Sequence, residues 1–185
     1  MRPLLLCFLL FIAPLHAKPT TITLAADPWC PYNCLADSKN AGFMVDIARK
    51  ILAKHGVTVR YLEVPWVRAL KGAKAGDYDG VIGASRMEAK GFIFPELPQG
   101  QMQNVFWVLK GSSWRYQGPA SLRGKRLAII AGYGYGPEIE RYLDNPEHQK
   151  NIVRLYGQTP LANGIAMLEY ANVDILLEDR SVMQY

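Results

Sequence analysis

The chain has 185 residues, 50% of them hydrophobic, with 21 Lys and Arg against 16 Asp and Glu and a formal net charge of +5. The basic residues are scattered, the densest cluster being Arg123-Gly124-Lys125-Arg126. No run of about five or six like charges occurs, so the positive balance describes a solvated surface and no nucleic-acid partner is expected. The length suits one domain or two small lobes.

Residues 1–17 read as a secretory signal peptide: Arg2, an apolar run from Leu4 to Ile12, and the small residue Ala17, after which cleavage is expected. The run is shorter than the roughly 20 apolar residues a spanning helix needs. Leu4-Leu5-Leu6-Cys7 is not a lipoprotein box, because it lies too early and Leu6 is too large for the position before the Cys. The expected location is therefore the periplasm.

Thr21–Ala26 is strand-like, and Asp27-Pro28-Trp29-Cys30-Pro31-Tyr32-Asn33-Cys34 follows directly. Its prolines cannot continue a ladder, so the chain turns out at the strand's carboxyl end, where open α/β sheets bind ligands. Two readings compete there. Cys30 and Cys34 are either the redox pair of a periplasmic thiol-disulfide oxidoreductase or a disulfide holding Trp29 and Tyr32 at the lip of a small-molecule cleft. Thioredoxin-type sites need Cys-x-x-Cys at a helix start. Here Pro31, Tyr32 and Asn33 intervene and the helix begins only near Gly42, which favours the staple.

From Gly42 to about His55, Met44, Ile47, Ala48, Ile51 and Leu52 recur at helical spacing, and Gly56 stands where a left-handed cap is expected. Val57–Val64 reads as a strand, Pro65 to about Ala73 as a helix, and Gly80–Ala84 as a short, fully buried strand. The alternation predicts parallel sheets with flanking helices. The extended run Met102–Leu109 is expected to cross between lobes, giving a first lobe over 18–108 and a second over 109–185.

In the second lobe Arg126–Ile130 is a strand, Ala131–Gly136 a glycine-rich loop and Pro137–Leu143 a helix. Asn151–Tyr156 is a strand, Thr159–Tyr170 a helix and Val173–Leu177 a strand, after which Asp179 is placed to cap a further helix. The order of elements defines a two-lobed α/β chain.

A strand, three glycines and a helix start at Ile129–Glu138 aim backbone N–H groups at one point, an anion site in which Gly134 is flanked by Tyr133 and Tyr135. A dinucleotide fingerprint needs a wider last spacing and a later acid, so no nucleotide cofactor is expected. Ser85 and Arg86 follow the Gly80–Ala84 strand, where an arginine can hold a carboxylate. Trp66 and Arg68 begin the second helix near the same edge. Glu178 and Asp179 end the last strand and can accept from a ligand ammonium group, with Asp179 equally suited to capping. The sequence contains no GxSxG or HExxH, and His55 and His148 lack partners at ligand spacing. Neither a metal nor a catalytic residue is expected.

From Ile22 to about Tyr185 the chain resembles the family 3 extracellular solute-binding proteins, the type 2 periplasmic fold of amino-acid ABC transport receptors. The marks are Gly42-Phe43-x-x-Asp46-Ile47, Gly76-x-Tyr78-Asp79-Gly80-Val81-Ile82, Phe94-Pro95, Leu122-x-Gly124-Lys125-x-Leu127-Ala128 and Val173 through Asp179. The resemblance implies first-lobe ligand contacts at Trp29 or Tyr32, at Ala84 and Ser85, and near Arg86. In the second lobe it implies an anion loop at Tyr133–Gly136 and a late acid at Glu178 or Asp179.

The family's Thr-x-x-Arg segment is shortened here to Ser85 through Lys90, leaving the clamp to Arg86 or Lys90. Tyr135 stands where amino-acid binders place Ser or Thr. The family's usual return to the first lobe is also missing, so the chain resembles a truncated member, with an unpaired strand edge in the second lobe and uncovered apolar surface on both. The implied function is a monomeric, non-enzymatic receptor that closes on a small polar or anionic solute, an amino acid or related carboxylate, and serves an inner-membrane ABC permease. A dehydratase-like enzyme on the same fold, with Glu178 as its acid, is the enzymatic alternative.

Overall fold

The computed structural model describes residues 20–185, so the expected signal peptide lies outside the described residues. Strand β1 (Thr20–Ala26) leads through helix α1 (Phe43–Ala53) to β2 (Val57–Glu63), and through helix α2 (Trp66–Ala75) to β3 (Gly80–Val81). Both β2 and β3 pair parallel with β1, giving a three-stranded sheet of order β2-β1-β3. The parallel pairing follows from the crossover helices, whose buried faces (Met44, Val45 and Ala48; Trp66 and Ala69) pack into one core with Ala25, Val59 and Tyr61. Strand β3 is shorter and less buried than its apolar sequence predicts, because Gly83 at φ +85° turns the chain away after Ile82.

A second sheet has order β4-β7-β5-β6, formed by β4 (Asn104–Trp107), β5 (Leu127–Ile130), β6 (Ile152–Leu155) and β7 (Ile175–Asp179). Helix α3 (Pro137–Asp144) starts with a proline and places Glu138 and Glu140 in its first turn, where the helix dipole favours negative charge. Helix α4 (Pro160–Glu169) joins β6 to β7, and α5 (Arg180–Gln184) follows β7. Ile129, Ile175 and Leu177 meet Ile139, Tyr142 and Leu143 of α3 on one face of the sheet. Ala128, Ile130 and Leu176 meet Leu168 of α4 on the other.

Two expectations are corrected here. The extended run around β4 is a member of the second sheet, antiparallel to β7 in the register Asn104↔Asp179 to Trp107↔Leu176, so the first lobe's strands end with β3. The apolar surface expected to be left uncovered is not at β7: β4 and β5 flank it and every residue from Ile175 to Asp179 is buried, the open edges of the sheet being β4 and β6. Both have one cause, the return of the 104–107 backbone along β7, which completes its hydrogen bonding. Each fully buried leucine of this core, such as Leu127 or Leu176, contributes about 1.5–3 kcal/mol. Apolar exposure in the first lobe is concentrated in the loop after β3, where Ile93 is 100% and Leu97 78% exposed.

Candidate functional site

The loop after β1 is wound tightly on itself. Trp29 N donates to Asn33 O at 2.6 Å, and Trp29 O accepts from the amides of Tyr32 and Asn33. Cys30 and Cys34 are joined by a disulfide across this turn, and the rings of Trp29 and Tyr32 stack at 4.4 Å. The first amides of α1 are used by the same loop, Phe43 N donating to Pro31 O and Met44 N to Tyr32 O. Gly42, at φ +100°, permits this approach, since a Cβ there would collide with Tyr32 O. Closing so short a loop contributes about 2 kcal/mol in the chain-entropy model. The double variant Cys30→Ser/Cys34→Ser should lose about that much, read as a lower urea midpoint at unchanged slope.

The carboxyl ends of β1, β2 and β3 face those of β5 and β7, and the two lobes bond directly across the gap. Trp29 Nε1 donates to Glu178 Oε1 at 2.9 Å, Tyr133 OH to Asp27 Oδ2 at 2.8 Å and Trp66 Nε1 to Gly132 O at 3.1 Å. Glu88 bridges as well, Oε2 accepting from Ser85 N at 2.9 Å and Oε1 from Gly134 N at 2.6 Å. Between these groups remains about 10 Å³, lined by Asp27, Trp29, Asn33, Trp66, Glu88 and Tyr133 among others, room for about one water.

The loop glycines allow this closeness. A Cβ at Gly132 would lie 2.9 Å from Val67 Cγ2, and one at Gly134 3.1 Å from both Ser85 Oγ and Glu88 Cγ. Gly132→Ala, at φ +84°, should cost about 1–2 kcal/mol in backbone strain alone and wedge the lobes apart, visible as a larger radius of gyration in X-ray scattering.

Three carboxyl groups meet in this desolvated space. Burial pushes Asp27 up to about 7, against the opposing hydrogen bond from Tyr133. Burial likewise raises Glu178 to about 7, against the opposing bond from Trp29. Glu88 is also raised by burial, with the amides of Ser85 and Gly134 working the other way. A carboxylate out of water is costly unless hydrogen bonds or positive charge compensate it.

The structure brings Trp29, Trp66, Ser85, Tyr133, Gly134 and Glu178 together at the cleft. Tyr32 stands at its rim, its hydroxyl donating to Gln101 O and Asp179 Oδ1. Asp179 caps α5, accepting from Ser181 N and Val182 N. Three residues do not join the cavity. Arg86 is exposed, its guanidinium 4.9 Å from the Phe94 ring centroid, and lines instead an adjoining cavity of about 580 Å³ with Trp29, Tyr32 and Ser85, while Arg68 is exposed on α2. Tyr135 turns inward, its hydroxyl accepting from Ile130 N and donating to Ile130 O. The amides of the expected anion site are used within the chain, Tyr133 N by Ile130 O, Gly134 N by Glu88 and Tyr135 N by Glu140. Asp27, Asn33 and Glu88 are cleft residues that the sequence did not single out. Asp27 could have been noticed as an acid at a strand's carboxyl end. Nothing local marks Glu88.

Two α/β lobes with a cleft between the carboxyl ends of their strands define a periplasmic-binding-protein-like fold. The bacterial extracellular solute-binding proteins, family 3, match residues 22–114, and the chain belongs to that family. No curated protein matches the sequence. Among solved structures, an ancestral arginine-binding protein bound to arginine is 18% identical with a TM-score of 0.73, over 91% of this chain and 74% of its own. AbpA from Streptococcus pneumoniae, an amino acid ABC transporter substrate-binding protein bound to L-arginine, is 20% identical with a TM-score of 0.70, over 89% and 69%. A histidine kinase sensor domain with similarity to periplasmic binding proteins is 22% identical with a TM-score of 0.69, over 90% and 70%. At these identities the likeness is one of fold.

Proposed function

We propose that the chain is a non-enzymatic periplasmic receptor that closes two lobes on a small polar solute of amino-acid size and passes it, as a monomer, to an inner-membrane ABC permease. The carrying observation is the direct bonding of the two lobes through Trp29–Glu178, Asp27–Tyr133 and Trp66–Gly132 at the carboxyl ends of their strands. A solute entering there would exchange these bonds for its own and stabilise closure by its differential affinity for the closed state. The arginine-bound relatives support a ligand of this size. Calorimetric titration against amino acids and small amines tests the reading: saturable heat with one of them is expected, and its absence with all would refute a receptor role.

Against the thiol–disulfide alternative, the α1 amides of Phe43 and Met44 donate to Pro31 O and Tyr32 O and not to a sulfur. A dehydratase-like enzyme draws on Asp27 and Glu178, buried carboxyls raised to about 7, a range suited to acid–base work. It requires turnover, so a solute whose NMR spectrum is unchanged after a day with the protein sides with the receptor.

A further inference from the structure

Once existing bonds are counted, the polar groups left over where the lobes meet are acceptors, with the Ser85 hydroxyl as the one free donor among the described residues. The N–H and O–H groups of Trp29, Trp66 and Tyr133 are committed to Glu178, Gly132 and Asp27, and the amides of Ser85 and Gly134 to Glu88. Left without a hydrogen-bond partner among the described residues are Asn33 Oδ1 and Glu178 Oε2, each on a side chain only 1% exposed, and the Ser85 hydroxyl, which alone of the three can donate. Asn33 Nδ2 is turned to Asp27 O, which leaves Oδ1 against Gly83 in the cavity wall, 2.8 Å from where a Cβ there would stand. Among the described residues that line this small space there is no Lys or Arg; Arg86 lines the wider cavity beside it, which shares Trp29, Ile82 and Gly83. Buried acceptors lacking donors are costly, and the faces of Trp and Tyr rings attract positive charge.

Resting on the receptor reading above, we propose that this site takes a small organic cation, an amine or guanidine, and discriminates against solutes that carry a carboxylate. The cation's N–H groups complete Asn33 Oδ1, and its charge compensates Asp27, Glu88 and the Glu178 that Trp29 holds, beside the rings of Trp29, Trp66 and Tyr133. A solute carboxylate finds only the Ser85 hydroxyl free to donate, must displace Glu88 from the Ser85 and Gly134 amides to gain more, and then lies among the remaining acids. Entry requires the lobes to part, because the closed space is only about 10 Å³.

The test is calorimetric titration of the purified protein with agmatine, putrescine, L-arginine and L-glutamate at pH 7.5. Agmatine and L-arginine share a guanidinium and differ by the carboxylate. Agmatine should bind about tenfold or more tighter than L-arginine, L-glutamate should give no heat, and Glu88→Gln should weaken agmatine by about tenfold. L-arginine binding as tightly as agmatine, or any saturable binding of L-glutamate, overturns the proposal and leaves the receptor standing. Silence with all four probes and with the common amino acids overturns both.

Discussion

Replacing Trp29 with alanine should lower the stability of the chain by about 3–5 kcal/mol, the usual loss for deleting a buried tryptophan. The residue is 7% exposed, and three separate contacts end with it. It stacks on Tyr32, meets the edge of Tyr133 in the other lobe and donates to Glu178. Trp29→Phe keeps a ring in the stack but removes the indole N–H, leaving Glu178 Oε1 with the Asp179 amide alone. That variant should cost less, about 1–3 kcal/mol for a hydrogen bond to a buried acid. Urea denaturation followed by circular dichroism checks both. Equal losses for the two variants would show that the hydrogen bond carries the effect, with the ring contributing nothing.

Closure of the ligand-free cleft should weaken as pH rises from 5 to 8. Asp27 and Glu178 have pKa values near 7 when buried, raised from 3.8 and 4.5, and Glu88 is raised in the same direction. A group whose pKa is raised on burial favours the closed form fully below its exposed value and loses that contribution as pH climbs through the buried value. The window therefore runs from about 4 to about 7. The groups facing these acids are Trp29, Tyr133, Asp179 and the amides of Ser85 and Gly134. X-ray scattering should give a radius of gyration that is small at pH 5 and larger at pH 8. The Asp27→Asn/Glu178→Gln variant should flatten the curve, since both replacements remain acceptors for Tyr133 and Trp29. A wild-type curve with no slope would refute the coupling.

Most of the regular elements were legible from periodicity because their crossover helices are local. The apolar spacing of Met44 to Leu52, the proline starts at Pro137 and Pro160, and the apolar run Leu127–Ile130 each reflect neighbours close in sequence. The β4 strand was misplaced because an extended apolar run such as Val105-Phe106-Trp107 declares that it pairs without saying with what, and its partner β7 lies far along the chain. The same missing partner made the apolar run of β7 look uncovered. At the site, the aromatic loop and the glycine loop were readable because prolines, cysteines and glycines carry their own conformational meaning. Glu88 was not readable. An acid in a polar loop looks solvated until folding sets it between Ser85 N and Gly134 N.

The placement of β4 with β7 also bears on how the chain acquires its structure. Every strand pairing of the first sheet lies within residues 20–81, and every pairing of the second within residues 104–179. Neither sheet waits for residues from the other's stretch, so the long loop closures that slow β-rich folding are confined within each half. The strand pairings of the first sheet are therefore available while the second half is still being synthesised, although the core beneath them is completed by Val182 of α5.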